Sequence, residues 1–386
     1  MRSTTRTMGR RAGTPALVLR MTLRMTLRMT ALAAVLAACA TGGGGAAGAA
    51  PEPGASGTAQ AATEWPMRTR EHVDLWLHGF ALVQSDTTQV PYFRRGYRTE
   101  VLAEKRRLNV STIIDANADR LQARFLAYPN LVSAQFLALY FGTWDQMREA
   151  FDLFLRAEGQ PQASNDPQVQ QIIATFATYF PTAQDREWAR IFVQGLEDER
   201  TKYWSAYWRS KQQQGASAVA AADQLWQQTY LPKFLGYLRN TRQGRGEVLL
   251  SVPLDGEGRT ISVGALNLIA VSFPAGTGDA RDPIYVLAHE IAGAVTNPAI
   301  RDNITPAEQR SGVGDRYAAS ALVHGGAMLI QKVAPDLLEG YIRYYLASAN
   351  ARVTAPTMAS LAATFPLPEN LRTAIARQLD VVLGGI

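Results

Sequence analysis

The sequence predicts an α+β protein that is predominantly α-helical: a helical amino-terminal region, then a small antiparallel sheet, then a second helical part. Two observations predict it. Between residues 65 and 245 apolar residues recur at helical spacing, as in Ile172, Phe176, Tyr179 and Phe180, or Trp188, Ile191, Phe192 and Leu196. Beyond Gly244 the texture changes to short β-branched or apolar runs separated by glycine-containing turns, and helical spacing then returns. With 386 residues, 47% apolar and 19% charged, the chain has material for a large core, which excludes a disordered or fibrous protein.

Residues 1–38 stand apart from that fold. They hold seven arginines (Arg2, Arg6, Arg10, Arg11, Arg20, Arg24, Arg28) and no acid, and lead into an apolar run over 31–38. A basic segment followed by a short apolar one is the order of an export signal, and the run is about half of the ~20 residues a membrane-spanning helix needs. Met21, Met25 and Met29 repeat a Met-Thr unit, and each is an alternative start to Met1. The only cysteine follows directly, in Leu36-Ala37-Ala38-Cys39. This resembles the lipobox of bacterial lipoproteins. The resemblance implies removal of residues 1–38, lipidation of Cys39 and a lipid bilayer as partner, with several acyl chains giving stable anchoring. Ala40, where an aspartate would retain the protein at the inner membrane, is similar to outer-membrane lipoproteins if the organism has two membranes.

The formal charge of +6 belongs to the signal. Of 39 basic residues, seven precede Cys39, which leaves 32 against 33 acids. A nearly neutral mature chain excludes nucleic acid as a partner on charge grounds. A lone cysteine forbids an internal disulfide, and no phosphate-binding glycine loop, G-x-S-x-G elbow or C-x-x-C pair is present. Residues 39–64, rich in Gly, Ala, Pro, Ser and Thr, have nothing to bury and read as a tether.

The helical region, 65–245, is expected to contain helices over 70–83, 97–108, 112–127, 131–141, 144–157, 167–180, 185–213 and 217–242. Asn165-Asp166-Pro167 marks one start, with proline in the first turn. Strands are expected over 247–252, 259–263 and 266–273, with Asp255-Gly256-Glu257-Gly258 and Gly264 as turns, and helices over 283–296, 315–333, 337–348 and 369–383. Residues 246–386 form the second region. Tyr203-Trp204, Tyr207-Trp208 and Trp226 with Tyr230 read as a helix–helix seam rather than a ligand platform. Residues 93–98, Phe-Arg-Arg-Gly-Tyr-Arg, read as a solvated turn.

The helix after the sheet carries Tyr285-Val-Leu-Ala-His289-Glu290-Ile-Ala-Gly293, followed by Asn297-Pro298. An apolar helix with His-Glu directly after a small sheet resembles the H-E-x-x-H helix of zincin-type zinc metallopeptidases. There, imidazoles at i and i+4 share one helical face and grip Zn²⁺, while the glutamate acts as base toward metal-bound water. The resemblance covers residues 247–346 and implies a zincin-like fold with His289 as metal ligand and Glu290 as catalytic base. Gly293 stands in place of the second histidine, so the helix cannot clamp zinc alone. On the helix over 315–333 a ligand glutamate is expected around 319–321, and none is there. His324 is the metal-capable residue in that helix's interior and would have to serve, with Asp279, Asp282, Asp302 or Asp315 as a carboxylate partner. His72 and His78 are six apart, on different helical faces, which argues against a shared metal.

Three functions are consistent with these residues. One is a catalytically degenerate metallopeptidase homologue that binds peptide or an envelope protein and needs no cofactor. Another is an active zinc peptidase using His289, Glu290 and His324. The third is an all-helical scaffold lipoprotein unrelated to peptidases, with His289 and Glu290 structural.

Overall fold

The computed structural model describes residues 64–84, 88–263, 265–352 and 355–384. Cys39, the signal and the tether up to residue 63 lie outside the described residues. The chain enters through a two-residue strand, β1 (Met67–Arg68), and a run of helices: α1 (Glu71–Val83), α2 (Tyr97–Arg107), α3 (Ile113–Ala127), α4 (Trp144–Arg156) and α5 (Pro167–Tyr179). Polar residues at their starts cap several of these helices. Thr112 and Asp115 form a capping box at α3, and Asp166 accepts from Gln168 and Val169 at the start of α5, ahead of Pro167. Residues 129–140 depart from the expected α-helix and coil as a 3₁₀ segment, Pro129–Tyr140.

The two helices expected over 185–213 and 217–242 are one. Helix α6 (Ala183–Glu199) passes through a π turn, Arg200–Trp204, into α7 (Ser205–Leu225), and through a second π turn, Trp226–Tyr230, into α8 (Leu231–Asn240). Gly215 does not break it. A Cβ there would overlap the Phe273 ring, so the glycine is a point of close packing between helix and sheet. Pro232 has a different effect. Its missing N–H and its ring disturb the preceding turn, and the second π turn lies there.

The sheet corrects the expectation of an antiparallel one. It contains β2 (Gly246–Ser251), β3 (Arg259–Val263) and β4 (Leu266–Ser272) in the order β1-β2-β4-β3. β1, β2 and β4 are parallel, with Val248 opposite Ile269, and only β3 runs antiparallel, with Ile261 opposite Leu268. The apolar runs of β2 and β4 are nearly unbroken because both faces are covered, as in parallel sheets. Leu249, Ile261, Leu268 and Ala270 face a core built from α1 to α6. Val248, Leu250, Ile269 and Val271 face a second core.

That second core is built by the end of the long helix, including Ala222, Trp226, Phe234 and Leu238, and by the helices after the sheet. These are α9 (Asp282–Ile291), α10 (Gly293–Asn303), α11 (Pro306–Arg310), α12 (Val313–Val333), α13 (Leu338–Ser348), α14 (Met358–Thr364) and α15 (Glu369–Gly384). Along the long helix the two cores meet within α7, Tyr207 lying in the first and Ala222 in the second. The result is a three-layer arrangement, helices on both faces of a mixed sheet, with one long helix joining the layers. Tyr203, Trp204, Tyr207, Trp226 and Tyr230 are all buried, as expected of a packing seam. Asn297-Pro298 does not stop the helix either. The break falls at Ala292, and Pro298 is carried inside α10. Among the described residues no helix is long and apolar enough to cross a membrane.

Candidate metal centre at the sheet edge

Helix α9 lies beneath β4, and its last turn brings His289 and Glu290 to the start of β3. Glu290 is tied down by that strand. The Gly258 N–H donates to its Oε1 (2.9 Å) and the Thr260 hydroxyl to its Oε2 (2.6 Å). Gly258 is required for this approach, because a Cβ there would lie 2.6 Å from Glu290 Cγ. The strand is in turn anchored to the first core through Arg259, whose Nε donates to Gln135 Oε1 (2.5 Å) and whose guanidinium lies 4.0 Å from the Tyr92 ring centre.

His289 is fully buried. Its ring stacks on Tyr345 at 5.1 Å, and Tyr345 is held by a hydrogen bond from its hydroxyl to the Gly256 carbonyl (3.1 Å). Its Nε2 faces two carboxylates, Glu257 Oε2 at 3.5 Å and Glu290 Oε1 at 3.9 Å, and neither ring nitrogen has a hydrogen-bond partner. One ligand atom each from Glu257, His289 and Glu290 lies within 4.8 Å of the others, so the three residues form a group able to hold a metal ion. Burial disfavours a charged imidazole, but Glu257, with Glu290 adding to it, outweighs burial and raises His289 above its ordinary value. Burial and Glu257 raise Glu290, against the opposing pull of His289, Thr260 and Arg259.

The sequence pointed to His289 and Glu290, and the structure places them side by side at the sheet. It does not bring His324 to them. His324 Nε2 is hydrogen-bonded to the Phe365 carbonyl (2.8 Å), and burial lowers its basicity. The reason is helical phase. Gly326 is the residue of α12 that packs on His289, where a Cβ would sit 3.2 Å from His289 Cα, and position 324 is turned about 200° from it. Asp279, Asp282 and Asp302 are outside the group as well: Asp302 pairs with Arg301, and Asp282, pushed up to about 7 by burial and by Asp279 and Asp255, lies at the start of α9. The side chain of Asp315 lies outside the described part.

The missing carboxylate is Glu257. It sits in the segment between β2 and β3, 32 residues before His289, with no spacing rule to connect them. The available signal is its flanking by Gly256 and Gly258, which lets the backbone approach α9 and α13 closely. His72 and His78 are apart, as expected. His72 Nε2 bonds the Phe141 carbonyl (2.8 Å), while His78 joins Tyr97 and Glu199 inside the first core.

A surface groove of about 360 Å³ between α3 and α6 shares no residue with this centre. Its arginines are already engaged, Arg120 with Glu187 and Arg124 with Asp185. No protein-family model matches the sequence, and neither a curated protein nor a solved structure matches the chain.

Proposed function

We propose that the chain is a membrane-anchored cell-envelope lipoprotein, held by acylated Cys39, whose folded part is a zincin-like and catalytically degenerate metallopeptidase homologue that binds peptide or protein. One observation supports the loss of catalysis above others: the zincin metal clamp does not fit these residues, since Gly293 offers no second helical ligand and His324 is bonded to the Phe365 carbonyl instead of facing His289. A zinc peptidase using His289, Glu290 and His324 therefore has no support in the arrangement.

Peptide binding follows from the sheet. β3 is its outer strand on this side. Asn267, opposite Ser262, turns its N–H to the Arg245 carbonyl on the β2 side, so Ser262 and Asn267 form a pair not hydrogen-bonded to each other through the backbone. By alternation, Thr260 and Ser262 direct their backbone N–H and C=O away from β4. An extended peptide adds to such an edge through main-chain hydrogen bonds.

The test uses the full-length lipoprotein in detergent, incubated with a peptide library with and without ZnCl₂ and read by mass spectrometry. Peptides are expected to be retained and recovered intact under both conditions. Cleavage that His289→Ala abolishes, or no retention of any peptide, would contradict the proposal. Palmitate labelling that disappears in Cys39→Ala checks the anchor.

A further inference from the structure

We infer that Glu257, His289 and Glu290 bind one divalent transition-metal ion that fastens the β2–β3 segment to helix α9. This goes beyond the binding function above and does not depend on it. The set differs from the clamp of the zinc peptidases, because it replaces the second helical histidine with a carboxylate from a different part of the chain and uses Glu290 as a ligand.

Three observations carry it. The first is distance. Donors about 2.1 Å from one tetrahedral ion stand about 3.4 Å apart, while an N–H···O hydrogen bond closes to about 2.9–3.0 Å. His289 Nε2 is 3.5 Å and 3.9 Å from the two carboxylate oxygens, long for hydrogen bonds and near the spacing of ligands around an ion. The second is the unpartnered imidazole. His289 is completely buried and its Nε2 is aimed between two carboxylates without a hydrogen bond to either, an arrangement that leaves a polar atom unsatisfied at a cost of roughly 1–3 kcal/mol unless something lies between.

The third is support around the ligands. Glu290 is oriented by Gly258 and Thr260, and the His289 ring by its stack on Tyr345. Such outer contacts typically fix metal ligands in place. Charge is compatible with it: once a metal ion has displaced the protons, two carboxylates and a neutral imidazole carry −2, which a divalent ion balances. Arg259, which acts on Glu290 by its charge, donates its Nε to Gln135 and its Nη1 to the Gly258 carbonyl rather than to a ligand carboxylate. One imidazole with carboxylate oxygens suits Zn²⁺ or Mn²⁺ and excludes thiolate-seeking ions.

The experiment is a titration of the full-length chain, stripped with a chelator and reloaded with ZnCl₂ alone, followed by calorimetry and elemental analysis. One zinc per chain is expected. Glu257→Gln and His289→Ala should each weaken binding at least about 100-fold, more than an outer-contact loss costs. Cys39→Ala should leave it unchanged. Thermal melting in chelator shows whether each variant is folded, and Glu257→Asp, which keeps the charge, should retain measurable binding if Glu257→Gln does not fold. X-ray absorption of the loaded parent should show only nitrogen and oxygen donors. No stoichiometric zinc in the parent, sulfur in the donor set, or binding that folded Glu257→Gln leaves intact overturns the inference. Retention of peptides by the chain would be untouched by that result.

Discussion

Lys105→Met is expected to destabilise the fold by about 3–5 kcal/mol, the effect of removing one member of a buried ion pair. Lys105 is 2% exposed and Glu199 fully buried. The Lys105 ammonium donates to Glu199 Oε2 (2.8 Å) and to the Thr112 hydroxyl (3.1 Å), and it pairs with Asp115 (2.6 Å). Glu199 also accepts from Thr112 Oγ1 (2.6 Å) and lies 3.1 Å from His78 Nε2, at the point where α6 enters its first π turn. Methionine keeps the volume of the stem but leaves the carboxylate without its cation. Urea unfolding measures the loss. Adding Glu199→Leu should restore much of it, because a hydrophobic pair in the same space avoids the uncompensated charge.

The same network makes acid sensitivity predictable. Burial alone would raise the Glu199 carboxyl, but the hydrogen bond and charge from His78 and the Lys105 ammonium hold it down to about 2, against an ordinary 4.5. A carboxyl lowered on folding contributes stability that is fully present above pH 4.5 and lost as pH falls from there toward 2. Lys105→Met should flatten this part of the stability profile. An unchanged acid limb would place the sensitivity elsewhere.

Gly258→Ala is expected to cost about 1–3 kcal/mol by overpacking and to abolish peptide retention. The added Cβ would stand 2.6 Å from Glu290 Cγ, 2.7 Å from Glu290 Cδ and 2.8 Å from the Ala270 carbonyl oxygen. The last is backbone of the central strand and cannot turn aside. Relief requires Glu290 to leave Gly258 and Thr260, which frees the start of β3. Gly278→Ala, where nothing lies within 4 Å, is the control and should change stability by less than about 0.5 kcal/mol. Equal melting temperatures for the two variants would mean that the contact between β3 and α9 carries no energy.

The helices were legible because their apolar residues fall on one face and their caps are local, as at Thr112–Asp115 and Asp166–Pro167. What escaped was set by distant partners. Gly215 reads as a break, yet its small size serves the Phe273 ring across the layer boundary. Asn297-Pro298 reads as a stop, yet the neighbouring helices hold α10 together through it. The apolar runs of β2 and β4 could not by themselves distinguish a parallel core from an antiparallel edge, and Met67–Arg68 is too short to show any period. At the candidate centre, His289 and Glu290 are visible because one helix turn sets their relation. Glu257 comes from a loop whose path only the tertiary structure defines, and His324 looked available because sequence does not reveal which face of α12 its neighbours use.

That phase relation also shows where the helix lacks a ligand. Gly293 is one turn beyond His289 and on the same face: its Cβ position meets Leu322, four residues before the Gly326 that packs on His289. There is room for a side chain, with Asn297 Nδ2 at 3.5 Å and Leu322 Cδ2 at 3.7 Å, both ordinary contacts. The direct measurement is the zinc affinity of full-length Gly293→His against the parent. If the His-Glu helix is a zincin helix that has lost its second histidine, restoring it should tighten ZnCl₂ binding by at least about tenfold. An affinity equal to the parent's in a folded variant would contradict a zincin-like origin for this domain.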